Sequence, residues 1–557
     1  MTPTSGSPSL SMDPRADGDA TIVCWNRSSG ERIASLPVTT EEEITSALSR
    51  ARAAQARWRA LSVGERVRVI RRVAKEWEHQ IPKILRIVCT ETGKPKTTAL
   101  WAELVQVSDW LRWYPSKTRK ALRPEIRKPH LSPHRAVAIE YHPRGVVCVI
   151  APWNYPIAIP TGDLLPALLA GNAVILKPSE VTPLCAFALR DAFVAGGLDP
   201  DLFQVLPGYG SVGAHLIEQG VDMVLFTGSV ATGKKVAEAA GRKLTPCVLE
   251  LGGKAPAIVL PGANIKRTAR AITWGAFFNT GHTCVGVDRI YAVGQSTYDA
   301  LLKALQDEIR KIAVDEPFAP RCDMGSIIHE PQVWLAQELL EDAVAKGATI
   351  ALGGNQIPDH GGCYFEPTLV TGCHHGMKIM NVESFAPLLP MQCVASVDDA
   401  VELANDSTVG LSGYVFGPTG KARKVASRVE AGMISVNNTI DHFAITEVRW
   451  GGIKDSGLGR AHGWEAIRDA CTERVIVWPD LPVLPKELWW FPYSDRAFRF
   501  AFRLGRLLTS YSPAHILRSL LRPSPAIPNF SDALPQLPQG SSVVTQKNED
   551  LLESDAS

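Results

Sequence analysis

The chain has 557 residues, 45% hydrophobic and 21% charged, with a formal net charge of +2. That length can bury more than one core, which excludes a single small module, and the composition excludes a fibrous or wholly disordered chain. The balance of 59 basic against 57 acidic side chains leaves no global attraction to nucleic acid, so none is expected as a partner.

Residues 1–20, rich in Ser, Pro, Gly and Asp and without an apolar period, read as a disordered leader. No basic region followed by an apolar run opens the chain. Eleven cysteines stand singly from Cys24 to Cys471 without a CxxC pair, so reduced thiols and a cytoplasmic location are expected. From Thr40 the pattern is helical. Thr40 and Glu43 have capping-box spacing, and Ile44, Ala47, Leu48, Ala51, Ala54 and Trp58 fall on one face. A second helix follows Gly64.

Beyond Val137 short β-branched runs, 146–151, 173–176, 223–226 and 257–260, alternate with helical segments such as 184–195. That order predicts parallel sheets covered by helices on both faces, an α/β fold. The most apolar stretch, 157–176, carries Asp163 and is cut by Pro160 and Pro166, so no transmembrane helix is expected. The alternation resumes with a strand at 289–293 and a helix at 296–312, which predicts a second α/β lobe and a ligand cleft between the two.

Several segments have the residue types of a reactive site. Pro152-Trp153-Asn154-Tyr155-Pro156 follows the first apolar run, and its two prolines hold Asn154 still enough for its amide to serve as an oxyanion donor. Lys177-Pro178-Ser179-Glu180 ends the next strand with a cation and a carboxylate suited to a ribose and its phosphates. Residues 226–234, FTGSVATGK, run from a strand into a helix, where backbone N–H groups can hold a diphosphate; a plain strand-to-helix turn is the alternative. Gly228 and Gly233 are five apart, however, which matches neither GxGxxG nor a P-loop.

Glu250 precedes the Gly252-Gly253 pair and would be a general base if burial raised its pKa; a solvated strand end is the alternative. Cys284 closes the polar loop Asn279-Thr280-Gly281-His282-Thr283; that placement favours a reachable thiol, while an inert core cysteine, the usual state of a lone cysteine, is the alternative. His282 is a second candidate base for that thiol. His360, Cys363, Cys373, His374 and His375 resemble a zinc set, but their spacing fits no usual ligand pattern and no metal is expected.

After residue 480 an aromatic, basic extension begins. Arg496, Arg499, Arg503 and Arg506 form one stripe of an amphipathic helix, and residues 483–522 have a net charge of +5. Such a face suits an anionic membrane surface, contacted through residues 489–522, or docking on the protein itself or a neighbouring subunit. Residues 523–557 read as disordered.

In order and spacing, these motifs, with Glu383-Ser384-Phe385-Ala386-Pro387 and Gly451-Gly452-Ile453-Lys454-Asp455-Ser456-Gly457, resemble the aldehyde dehydrogenase superfamily over about residues 21–478. The likeness is to NAD-dependent, hydrolytic, bacterial semialdehyde or fatty aldehyde dehydrogenases. It implies a Rossmann-type NAD domain (21–120 and 143–250), an α/β catalytic domain (251–440) and a small β oligomerisation arm with an anchor loop (121–142 and 441–480). A homodimer or homotetramer is implied with them.

By position the resemblance makes Cys284 the nucleophile, Glu250 the general base, and Asn154 with the Cys284 N–H the oxyanion hole. Lys177 and Glu180 match the residues at the adenine ribose, where a carboxylate favours NAD over NADP. Trp153, Gly228, Ser229 and Gly233 match positions near the cofactor, and Glu383 and Phe385 those at the nicotinamide ribose and ring. The sequence departs from the family's Gly at Ala386, its Gln at His282 and its Pro-Phe at Arg449-Trp450. The activity implied is oxidation of an aldehyde to an acid through a thioester. Transfer of the acyl group to CoA, and a catalytically silent binding or structural protein, are the alternatives; Glu250 argues against the first.

Overall fold

The structure, a computed structural model, describes residues 12–132, 134–358, 361–480, 490–509, 512–514 and 535. They fall into two compact units, one of residues 1–131 and 136–477 and one of residues 132–135 and 478–557.

In the larger unit the first helix, Glu41–Ala60, starts at a capping box. The Thr40 hydroxyl accepts from Glu43 N, and the Glu43 carboxylate accepts from Thr40 N. Ile44, Ala47, Leu48, Ala51, Ala54 and Trp58 form its buried face. A second capping box, Ser62 with Glu65, opens Val63–Thr92, which ends at Gly93 in the left-handed region.

Ahead of these helices the expected disordered leader is corrected for residues 12–20. Met12 is buried, its carbonyl accepts from Arg27 Nη1 at 2.8 Å, and the Pro14 carbonyl accepts from Val23 N at 2.9 Å. Arg27 is fully buried and needs carbonyl acceptors, a demand that segment composition does not reveal. Residues 1–11 lie outside the described residues.

A six-stranded sheet follows the order Gly457–Leu458, Cys247–Glu250, Met223–Thr227, Val146–Ile150, Ala173–Lys177, Phe203–Val205. Its neighbours pair in parallel except Gly457–Leu458, which runs antiparallel to Cys247–Glu250. The runs VVCVI and AVILK are apolar almost throughout because helices cover both faces. The central strands therefore end together, and PWNYP, KPSE and FTGS leave from one edge.

A seven-stranded sheet has the order Thr349–Leu352, Thr368–Thr371, Leu388–Val394, Arg289–Val293, Pro256–Val259, Ser412–Phe416, Met433–Val436. Only its first pair is antiparallel. The fold class is thus α/β with two parallel-sheet cores, as the strand and helix alternation predicts. A separate three-stranded sheet joins Cys471–Pro479, Arg135–Pro143 and Glu125–Arg127 in that order.

In the smaller unit Asp495–Leu508 is a helix whose N-cap, Ser494, accepts from Ala497 N. It contains Arg496, Arg499, Arg503 and Arg506, and Phe498, Phe500, Leu504 and Leu508 are exposed. Of the expected disordered end, 523–557, all but residue 535 lies outside the described residues. Among the described residues no helix is long and apolar enough to cross a membrane.

Candidate active site

Cys284 owes its position to a strained loop. The helix Ile265–Phe277 stops at Phe278, and Asn279, Thr280 and Gly281 then adopt positive φ of 53°, 58° and 77° in succession. Non-glycine residues in this region cost on the order of 1 kcal/mol or more each, so the surroundings must impose the turn. They do so through side chains. Asn279 Nδ2 donates to His282 O at 3.1 Å and to Asn154 O at 3.2 Å, and Thr280 Oγ1 donates to Gly325 O at 3.3 Å. The Thr283 and Tyr155 hydroxyls lie 2.7 Å apart. Gly281 passes so close to the neighbouring chain that a Cβ there would be 2.4 Å from Ala386 O.

The Trp153-Asn154 loop is held from beneath by a buried ion pair. Lys94 Nζ lies 2.6 Å from Glu103 Oε1 and donates to Asn154 O at 2.7 Å. The other Glu103 oxygen accepts from Ile157 N at 3.1 Å and Ala158 N at 2.7 Å, capping the helix Ala158–Ala170. A buried pair this well partnered fixes geometry more than it adds net stability. Sequence reasoning missed Lys94, Glu103 and Asn279. Lys94 follows a helix-ending glycine and Glu103 lies in an apolar helix, a burial of opposite charges nine residues apart that was the available signal.

One cleft gathers most of the predicted residues. Trp153, Asn154, Gly228, Ser229, Glu250, Cys284, Glu383 and Phe385 line it together with Pro152, Thr227, Leu251, Gly252, Gln332 and Leu335. Trp153 and Phe385 meet edge to face, with ring centroids 5.5 Å apart. The Glu383 carboxylate accepts from Gly253 N at 3.1 Å. Ser229 caps the helix Val230–Lys243, whose first turn carries no acidic side chain and faces the cleft end of the Met223–Thr227 strand.

Lys177, Glu180 and Gly233 are not in that lining. Lys177 ends its strand beside Ile150 and donates to Glu180 Oε2 at 3.3 Å. Gly233 is buried, and a Cβ there would be 2.5 Å from Leu251 Cδ2, so it lets the helix seat on the sheet.

Asn154 Nδ2 donates one hydrogen to His282 O at 3.0 Å, which leaves the second hydrogen of that amide for another acceptor. Glu250 is only 7% exposed and both of its carboxyl oxygens are buried without a hydrogen-bond partner. Burial first, then the nearby Asp163 carboxyl, pushes Glu250 well above the usual carboxylate range.

Burial first, then the Glu383 and Glu250 carboxyls, pushes the Cys284 thiol up to about 12, and burial with Asp288 pushes Glu383 up to about 7. His282 is 2% exposed, packs 5.0 Å from the Trp153 ring and is lowered by burial to about 3. So weak a base does not deprotonate such a thiol, and the reading of His282 as its base is set aside on that ground. Of the zinc-like residues, Cys363 and Cys373 are buried in an apolar cluster, His375 Nε2 lies 3.1 Å from Asp406, and His360 lies outside the described residues.

Cys284 also lines a second cavity, with Trp101, Tyr155, Ile159, Trp274, Phe278, Val285, Ile440 and Phe443 among its walls. Among the described residues Cys284 is the one common to the linings of the two cavities.

The model of the aldehyde dehydrogenase family matches residues 15–476. A protein from Mycolicibacterium smegmatis named as a succinate-semialdehyde dehydrogenase for NADP(+) is 37% identical over 79% of this chain and 85% of its own length. The 4,4'-diapolycopene aldehyde oxidase of Methylomonas sp is 36% identical over 86% of this chain and 89% of its own. The Mycobacterium tuberculosis aldehyde dehydrogenase solved with NAD+ superposes with a TM-score of 0.79 at 28% identity, covering 83% of this chain and 96% of that one. With its two parallel sheets and the motifs at their edges matched over nearly its whole length, the chain belongs to the aldehyde dehydrogenase family, NAD(P)-dependent enzymes that oxidise aldehydes to carboxylic acids.

Proposed function

We propose that Cys284 is the nucleophile, Glu250 the base that activates water, and Asn154 with the Cys284 N–H the oxyanion hole of a hydrolytic aldehyde dehydrogenase that uses NAD. The observation that carries this reading is the unpartnered, buried Glu250 carboxyl sharing one cleft with the Cys284 thiol. Burial and the Asp163 carboxyl outweigh the opposing pull of Arg460 and the Ala461 N–H, which keeps the Glu250 carboxyl a strong enough base for proton transfer.

The cleft suits a dinucleotide. The helix starting at Val230 offers N–H groups to a diphosphate, Gly228 and Ser229 bring the backbone close, and Lys177 with Glu180 stands at the neighbouring strand end for a ribose. Glu383 offers a carboxyl to ribose hydroxyls, and Phe385 and Trp153 wall the ring. When bound, the cofactor supplies a hydride acceptor and a positive charge beside the sulfur.

The Cys284 thiol passes its proton through Glu250 to solvent, the resulting thiolate adds to the carbonyl carbon, and the free Asn154 hydrogen with the Cys284 N–H receives the oxyanion. After oxidation the acyl group is a thioester on Sγ. Glu250 then takes a proton from water, which attacks the thioester and releases the acid and the thiol. The Glu180 carboxylate favours a ribose bearing a 2′-hydroxyl and repels a 2′-phosphate, which supports NAD even though the Mycolicibacterium relative is named for NADP(+).

Purified enzyme should reduce NAD at higher kcat/KM than NADP, and NADH formation should need no CoA. Cys284→Ala should lose turnover while still binding NAD. Glu250→Gln should retain a first-turnover burst of NADH and lose steady-state turnover by about 10² or more. Acid formation by Cys284→Ala at the wild-type rate would refute the assignment, and a strict need for CoA would move it to acyl transfer.

Two further readings concern partners. The strand Cys471–Pro479 ends its three-stranded sheet and exposes Val475, Ile476 and Val477, an apolar edge suited to pairing in a homodimer or homotetramer. The arginine-bearing helix Asp495–Leu508 suits the anionic surface of a membrane.

A further inference from the structure

The tunnel behind Cys284 carries information about the aldehyde. Its described walls hold no Lys, Arg or His, and its one ionisable carboxylate is Asp441. Burial works to raise Asp441, but hydrogen bonds from His442, Ser435 and Asn438 outweigh it and hold the group at about 2, so it is an anion at neutral pH. An aldehyde whose far end is a carboxylate would meet an apolar wall and a like charge, with no cation to receive it. The cavity measures about 260 Å3, just under the range that encloses a drug-sized ligand, so the remainder of a long chain has to lie beyond it.

The tunnel does not end at its mouth. Trp101, Trp274 and Phe278 line both it and an adjoining outer groove, whose other walls include Thr97, Phe277 and Ile312. Trp101 and Trp274 are 65% and 47% exposed, an unusual state for two large apolar rings at one opening. Trp101 stands on a π-helical turn, Leu100–Val105, that interrupts the surrounding α-helix, a local distortion common where a side chain is re-aimed at a site. The groove's lining also holds Arg270, Glu308 and Asp323, paired Arg270 with Glu308 at 3.4 Å and Asp323 with Arg321 at 3.2 Å.

We propose that the enzyme takes aldehydes with a long, uncharged, apolar chain, whose tail leaves the Cys284 tunnel between Trp101 and Trp274 and lies in the outer groove. The proposal rests on Cys284 as the nucleophile. Its occupant is fixed by continuity, because the groove opens from the cavity that ends at the reacting sulfur.

The test is kcat/KM for straight-chain aldehydes of four to twelve carbons, and for succinic semialdehyde, with wild type, Trp101→Ala/Trp274→Ala and Cys284→Ala. In wild type, kcat/KM should rise about 3-fold per methylene inside the tunnel and more gently beyond its mouth, as expected for burial of successive CH2 groups. Succinic semialdehyde should fall about 100-fold or more below hexanal. The double tryptophan variant should lower the dodecanal-to-butanal ratio about tenfold.

A profile that is flat beyond butanal, or succinic semialdehyde as the better substrate, overturns the proposal while Cys284-dependent NADH formation leaves the catalytic assignment standing. Absence of NADH with every aldehyde overturns both. If the tryptophan variant changes the oligomeric state in light scattering and not the chain-length ratio, the groove is a contact between copies and the proposal falls.

Discussion

At the residue scale, the reactive groups are set by what surrounds them rather than by their intrinsic chemistry. A thiol pushed up to about 12 by burial and by two carboxyls is protonated at neutral pH, which protects it from oxidation between turnovers. Its pKa is raised, so the thiolate is scarce near neutrality and grows as pH rises. Alkylation of Cys284 by iodoacetamide without cofactor should therefore be slower at pH 8 than that of a free cysteine and climb about tenfold per unit from pH 7 to 10. Adding NAD should accelerate it. Peptide mapping of the alkylated site reads this directly, and a rate independent of pH above 6 would show the thiolate already formed. The raised Glu250 acts in the same sense, since the base must be unprotonated and deacylation should be lost as pH falls through its elevated pKa.

At the element scale, the site depends on backbone close approach. Gly281→Ala would put a methyl group 2.4 Å from Ala386 O at a φ of 77°, so the Cys284 loop must shift. A displacement on the order of 1 Å costs about 10² in rate, and kcat should fall by that order while the melting temperature changes by only a few degrees. Unchanged kcat would mean the loop absorbs the side chain.

The helices around Ile44 and the strand runs 146–151 and 223–226 were legible in the sequence because their apolar period is local. The motif residues were legible because their order is. Packing of residues distant in the chain was not. Nothing near Asn279 announces that its amide ties His282 O to Asn154 O, and nothing in a Ser- and Pro-rich leader announces that Arg27 takes its carbonyl. The same holds for Gly233, whose place in a strand-to-helix turn is legible and whose seating of the helix on Leu251 is not.

At the scale of the whole molecule, the predictions concern surfaces. Val475→Lys on the exposed edge strand should shift the assembly toward monomer in light scattering, since a charge on an edge opposes strand pairing. An unchanged mass would place the interface elsewhere. Deletion after residue 482 should release the protein from anionic vesicles in a sedimentation assay at low salt, and equal pelleting of both forms would remove the membrane reading.

The position of Cys284 as the common wall of two cavities has a last consequence. On the proposed reading aldehyde and dinucleotide would each reach the sulfur through its own cavity, so neither would have to wait for the other to vacate a passage. The departing acid is ionised once it forms, and the lining that welcomed its neutral precursor, with Asp441 among it, holds an anion poorly. Traffic through that corridor is thereby biased in one direction, and product inhibition by the acid should be weak.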